Sequence, residues 1–172
     1  LFDLADDSEK ENYEIKLPDV GEFPKETLLT FEKEVLGVYV SGHPLQEYEK
    51  LWRKHIDAVT SDFMLDDEIG QIKVADGAKV TIGGMITHKQ IKHTKSEQVM
   101  AFLNVEDLVG NVEVIVWPRD YEKNARYLVE DSKVFIYGRV SAEDEKDGKV
   151  ICEKVIPFEN IPKQLWIQFS NK

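Results

Sequence analysis

Cysteine is almost absent from this sequence: Cys152 is the only one in 172 residues, which excludes an internal disulfide and any multi-cysteine zinc site. A reducing, cytoplasmic setting is therefore expected. No stretch approaches the ~20 consecutive apolar residues that span a bilayer, so no membrane partner is expected. The four histidines show neither HxxxH nor HExxH spacing, and no metal or other cofactor is expected. His43 before Pro44 also lacks a nucleophile or metal-ligand partner at useful spacing, so a turn or capping role is its reading. An initiator Met and a basic-then-apolar leader are missing ahead of Leu1, which reads as a segment of something larger. Positive charge is in deficit. Lys and Arg number 22 against 33 Asp and Glu, for a net charge of -11. That balance counts against strong nucleic-acid binding, because phosphate affinity comes from clustered Lys and Arg.

What is present is unevenly placed. Asp3, Asp6, Asp7, Glu9, Glu11 and Glu14 load the N-terminus, and Asp66, Asp67 and Glu68 form a second acidic knot. By contrast His88, Lys89, Lys92, His93 and Lys95 form a basic island with no carboxylate between them. Residues 1–22, polar and broken by Pro18 and Gly21, read as an acidic flexible linker. From Pro24, Leu28, Leu29, Phe31 and Val35 give an amphipathic helix that Gly37 ends. A turn at Ser41–Pro44 leads to a second helix carrying Leu45, Tyr48, Leu51 and Trp52. Residues 23–75 are therefore a helical segment linking to a strand-rich region.

From Lys79 the period changes from helical to strand-like. Val80 and Ile82 alternate with polar neighbours, Gly83 and Gly84 interrupt, and Met85, Ile86 and Ile91 continue a long first strand bent by a bulge. In the second strand Val99, Ala101, Leu103 and Val105 form the core face, with Met100, Phe102 and Asn104 on the other. After a Gly110–Asn111 turn, Val112, Val114 and Val116 alternate with Glu113, Ile115 and Trp117. Pro118 to about Leu128 reads as a helix, followed by strands over Lys133–Val140 and Lys149–Ile156. Three strands, a helix and two strands is the connectivity of a five-stranded OB barrel, assigned to residues 76–158. The expected fold class is thus mainly β: an OB-fold barrel with a helix between strands 3 and 4, preceded by two short helices. Leu165, Ile167 and Phe169 alternate within residues 159–172, as the start of a following domain would.

The segments EKEVLGVYVSGHPL (Glu32–Leu45) and GGMITHKQIKHTKSEQVMAFLNVEDLVGNVEVIVWPRDYEK (Gly83–Lys123) resemble the C-terminal region of the bacterial DNA polymerase III alpha subunit. The resemblance covers roughly residues 24–160. It implies a C-family replicative polymerase whose palm, thumb and fingers lie upstream, so no catalytic residue is assigned within this chain. The partners it implies are single-stranded DNA and the rest of the polymerase chain, with the sliding clamp and the clamp loader as further candidates. Relatives also carry a clamp-binding peptide of the form Gln-x-x-Leu-Phe just before this region. Leu1 and Phe2 are either its last two residues or an arbitrary chain end.

OB folds hold single strands with a basic track for phosphates and aromatic faces for bases, at about 1–3 kcal/mol per stacked base. Phe102 and Trp117 are the stacking candidates, the alternative being that they cover the barrel against helices or a neighbouring domain. Lys89, Lys92 and Lys95, on or near the hairpin joining strands 1 and 2, are the phosphate candidates, with His88 and His93 beside them; a solvated hairpin tip is the alternative. Arg119 and Arg139 extend the track. Glu143, Asp144, Glu145 and Asp147 in the loop between strands 4 and 5 would repel phosphate, so binding is expected to be weak and salt-sensitive. The function expected is a non-catalytic single-strand-binding module of a replicative polymerase. Two other readings stay open: a protein-docking scaffold for clamp or clamp loader, and the anticodon-binding OB domain of a class II aminoacyl-tRNA synthetase.

Overall fold

The computed structural model describes residues 21–161, and the chain divides between Ser41 and Gly42 into two compact units. The expectations for the acidic linker, for Leu1 and Phe2, and for the strand near Leu165 lie outside the described residues.

In the first unit, helix α1 spans Lys25–Leu36 and is N-capped by Pro24. Gly37 ends it in the left-handed region, φ 73°, a conformation that suits a residue without Cβ, and its N–H donates to the Lys33 carbonyl at 2.9 Å. The Glu32 carboxylate gathers the next turn, accepting the Val40 and Ser41 N–H groups at 2.8 Å each as well as the Ser41 hydroxyl. The hydroxyl bond above all holds Glu32 below the usual carboxylate range.

The second unit is built on strands β1 (Lys79–His93), β2 (Val99–Glu106), β3 (Asn111–Val116), β4 (Lys133–Ser141) and β5 (Lys149–Pro157). They close into a barrel in the order β1-β2-β3-β5-β4. Every neighbouring pair is antiparallel except β3 and β5, which run parallel over Glu113–Ile115 and Lys149–Ile151. Alternation sets the inside: Ala101, Leu103, Val105, Val112, Val114, Val116, Val150 and Cys152 are buried in one core, as the period of two in these segments requires. Helix α3 (Pro118–Asn124) sits between β3 and β4. Asn124 ties it to β5 by accepting the Val155 N–H at 3.1 Å. The barrel therefore has the expected OB architecture.

The bend in β1 differs from its expected cause. The register shift against β2 falls between Ile86 and His88, beyond the glycine pair. Gly83 and Gly84 instead permit close approach. A Cβ on Gly83 would stand 2.8 Å from both the Trp52 and Phe135 rings, and one on Gly84 would stand 2.6 Å from the Glu106 carbonyl oxygen.

The second helix also starts later than Pro44. The His43 ring takes the Leu45 N–H on Nδ1 at 3.1 Å, and its Nε2 lies 3.1 Å from the Glu106 carboxylate. With that amide bound to the ring, the chain first makes a 3-10 turn at Gln46–Tyr48, and α2 follows over Glu49–His55. Helix α2 lays Leu51 and Trp52 over the outside of the barrel, where with Leu45 they bury Phe135 and Phe158 in a second apolar cluster. The Trp52 indole N–H donates to the Gly83 carbonyl at 2.6 Å, so this buried donor is satisfied under the helix.

Asp107, buried in the turn between β2 and β3, organises the approach to the barrel. Its carboxylate accepts the Thr60 N–H (2.9 Å) and hydroxyl (2.7 Å), and the Val109 and Gly110 N–H groups at 2.8 and 3.0 Å. A short carboxylate in a tight turn thus fixes both its own turn and the Thr60–Phe63 segment.

Candidate nucleic-acid interface

Residues directly opposed across strands share a face, so the registers define what the barrel presents outward. Gln90 opposes Phe102, Phe102 opposes Ile115, Ile115 opposes Ile151, and Ile151 opposes Arg139. One row therefore crosses all five strands, with Phe102, Ile115 and Ile151 half-buried in the middle and Gln90 and Arg139 exposed at the ends. The neighbouring row runs from Asn104 through Glu113 and Lys149 to Ser141. Within this unit, α2 covers the Gly83 and Phe135 side of the barrel, and Phe102 and Ile115 are not part of that cluster. The apolar row is the outer face that α2 leaves uncovered.

The predicted cations do not form one track. Lys92 stands over the Phe102 ring, its Nζ 4.4 Å from the centroid, next to the apolar row. Lys89 opposes Leu103 instead, on the core-facing side, and its Nζ lies 5.3 Å from the Tyr121 ring of α3. An odd separation within a strand puts two side chains on opposite faces, which divides this pair. Both belong to β1 itself. Only Lys95 lies in the turn between β1 and β2, exposed, and His93 is exposed at the end of β1.

Tertiary structure also brings an acid to the basic island. Glu130 accepts the Lys89 N–H at 2.9 Å and lies 3.5 Å from His88 Nδ1. Trp117 is not on strand 3 but one residue past it, as the N-cap of α3, because Pro118 starts the helix there. It is 45% exposed. Arg119 is exposed on α3. Arg139 lies at one end of the row, its Nε donating to Glu153 at 2.7 Å. Across the adjacent row Lys149 meets Glu113 at 3.0 Å.

Gln90, Asn104, Ile151 and Lys149 were not singled out from the sequence. The alternation of Lys149, Ile151 and Glu153 was readable, but their place beside β3 depends on a parallel pairing of three residues that no local pattern announces. Among the described residues no group of three or more His, Cys, Asp and Glu is placed to hold a metal ion. No described helix is long and apolar enough to cross a membrane.

Residues 80–158 match the family described as an OB-fold nucleic acid binding domain. The curated relatives include DNA polymerase III subunit alpha of Saccharopolyspora erythraea, 34% identical over 129 residues that make up 75% of this chain and 10% of the relative. The chain is a relative of the bacterial DNA polymerase III alpha subunit. The same subunit from Aquifex aeolicus is 32% identical over 138 residues, 80% of this chain and 11% of the relative. The chain thus spans about a tenth of the length of the polymerase alpha subunits it matches. Among solved structures, the SSB domain of a Synechococcus protein superposes on 48% of this chain and 97% of its own, at 14% identity and a TM-score of 0.42.

Proposed function

We propose that this OB domain binds single-stranded DNA weakly across the Phe102–Ile115–Ile151 row and, within a replicative polymerase, holds the template single strand near the enzyme. The observation that carries this reading is the apolar row that α2 leaves uncovered, with the Lys92 ammonium poised over its one aromatic ring. A base stacking on Phe102 would place its phosphate within reach of Lys92, with Lys95 at the hairpin tip, while Arg139 at the far end is paired with Glu153. Trp117 and Arg119 border the row where β3 gives way to α3, and His88, His93 and Lys89 are secondary contacts. No cofactor is needed for such binding. Two engaged lysines, Lys92 and Lys95, give a salt slope of only about -1.4 for a single strand, so the contact depends on DNA already held nearby by the polymerase, in the cytoplasm, at high effective concentration.

Fluorescence anisotropy of the 172-residue chain with single-stranded DNA, duplex and tRNA at low and moderate salt tests the reading. The single strand is expected to bind best, and Phe102→Ala to weaken it roughly five- to 150-fold, the value of one stacked base, with Lys92→Ala adding to the loss. Lys89→Ala alone is expected to matter less. Unchanged binding in the Phe102 and Lys92 variant would move the site elsewhere, and a preference for tRNA would favour the anticodon-binding reading. A second reading, docking of clamp or clamp loader without DNA contact, is favoured by the net charge of -11 and by Glu130 beside the basic island; total absence of DNA binding would select it.

A further inference from the structure

We propose that Glu113 and Glu153 limit the affinity of this face for nucleic acid by occupying Lys149 and Arg139, two phosphate ligands held in reserve. The inference rests on the DNA-binding reading above and identifies the residues that set its strength. Lys149 lies 3.0 Å from Glu113 across the β3–β5 pairing, and Arg139 donates to Glu153 at 2.7 Å across β4 and β5. Both pairs sit on the outer face. Glu113 adjoins Ile115 within β3, and Arg139 directly opposes Ile151.

Each partner is roughly half exposed, from 39% for Lys149 to 55% for Arg139. Such pairs are worth about 0–1 kcal/mol, so an incoming phosphate can displace the carboxylate at small cost. The displaced carboxylate stays on the face, however, and repels the strand it yielded to. Removing the two acids should therefore add two phosphate contacts without building any new group. The arrangement suits a site that must hold a strand and still let it pass.

Anisotropy with an oligo(dT) strand tests this in Glu113→Gln/Glu153→Gln, which keeps the side-chain shape. Two added contacts should steepen the salt slope by about 1.4 and tighten binding roughly tenfold near 0.1 M salt, each single variant giving about half the change in slope. Asp67→Asn/Glu68→Gln in the exposed turn before the barrel raises net charge by the same amount without touching the Lys149–Glu113 and Arg139–Glu153 pairs, and little change is expected there. An unchanged slope in the face variant, or an equal gain in the turn variant, overturns the inference. Wild-type binding that depends on Phe102 with no gain in the face variant sinks this inference alone. Absence of binding by every variant removes the underlying reading as well.

Discussion

Cys152 shows what a single buried side chain is for in this barrel. It lies on β5 opposite Gly138 of β4 and packs into the barrel core, and burial, with smaller contributions from Asp120 and Glu153, pushes its thiol up from 9.0 to about 12. The buried thiol therefore stays protonated near neutral pH, and Cys152 acts as a small apolar residue. A disulfide-exchange reagent at pH 8 should label it only in urea; rapid labelling of the folded chain would contradict this. The linkage has a definite sign. Because the folded value is raised, the stability it contributes is full below about pH 9 and is lost as pH rises toward 12. Urea unfolding at pH 8 and above 10 should show a decline that Cys152→Ala reduces. Other residues were legible to different degrees. The inward valines of β3 follow from alternation, whereas Lys89 and Lys92 look like one cluster in sequence yet face opposite ways, since three is an odd step along a strand. Glu130, 41 residues from Lys89, could not be foreseen at the basic island at all.

At the scale of elements, the order of strands and the helix after β3 could be read from periodicity, because each segment carries its own alternation and turn residues. The pairing of β3 with β5 could not, because it depends on closure of the barrel. Nor did the sequence indicate which outer face α2 would cover. That choice is made by the glycine at position 83: only a residue without Cβ lets the Trp52 indole reach the strand and hydrogen-bond its carbonyl beside Phe135. Gly83→Ala should accordingly destabilise the unit by about 1–3 kcal/mol, as overpacking of a filled core does. Chemical denaturation would show it as a lower midpoint at unchanged slope. A neutral effect would mean that α2 is not locked to β1 in this way. Keeping α2 on that side is also what leaves Phe102 and Ile115 available on the other.

For the molecule as a whole, net charge is a poor guide to where a ligand would sit. The excess of acid is real, yet within the barrel it is distributed so that Glu113, Glu130 and Glu153 each meet a cationic or basic partner, while Lys92 lies over an aromatic ring. A face with so few unpaired cations would bind nucleic acid with low affinity and a shallow salt slope. What matters most for this face is where along the barrel a single strand lies. Titrating the isotope-labelled 172-residue chain with oligo(dT) and following backbone amide shifts reads that location directly. The largest changes are expected at Phe102, Ile115, Ile151 and Arg139, with Trp52 and Phe135 unmoved; shifts centred on α2, or none along the row, would rule out a strand on this face.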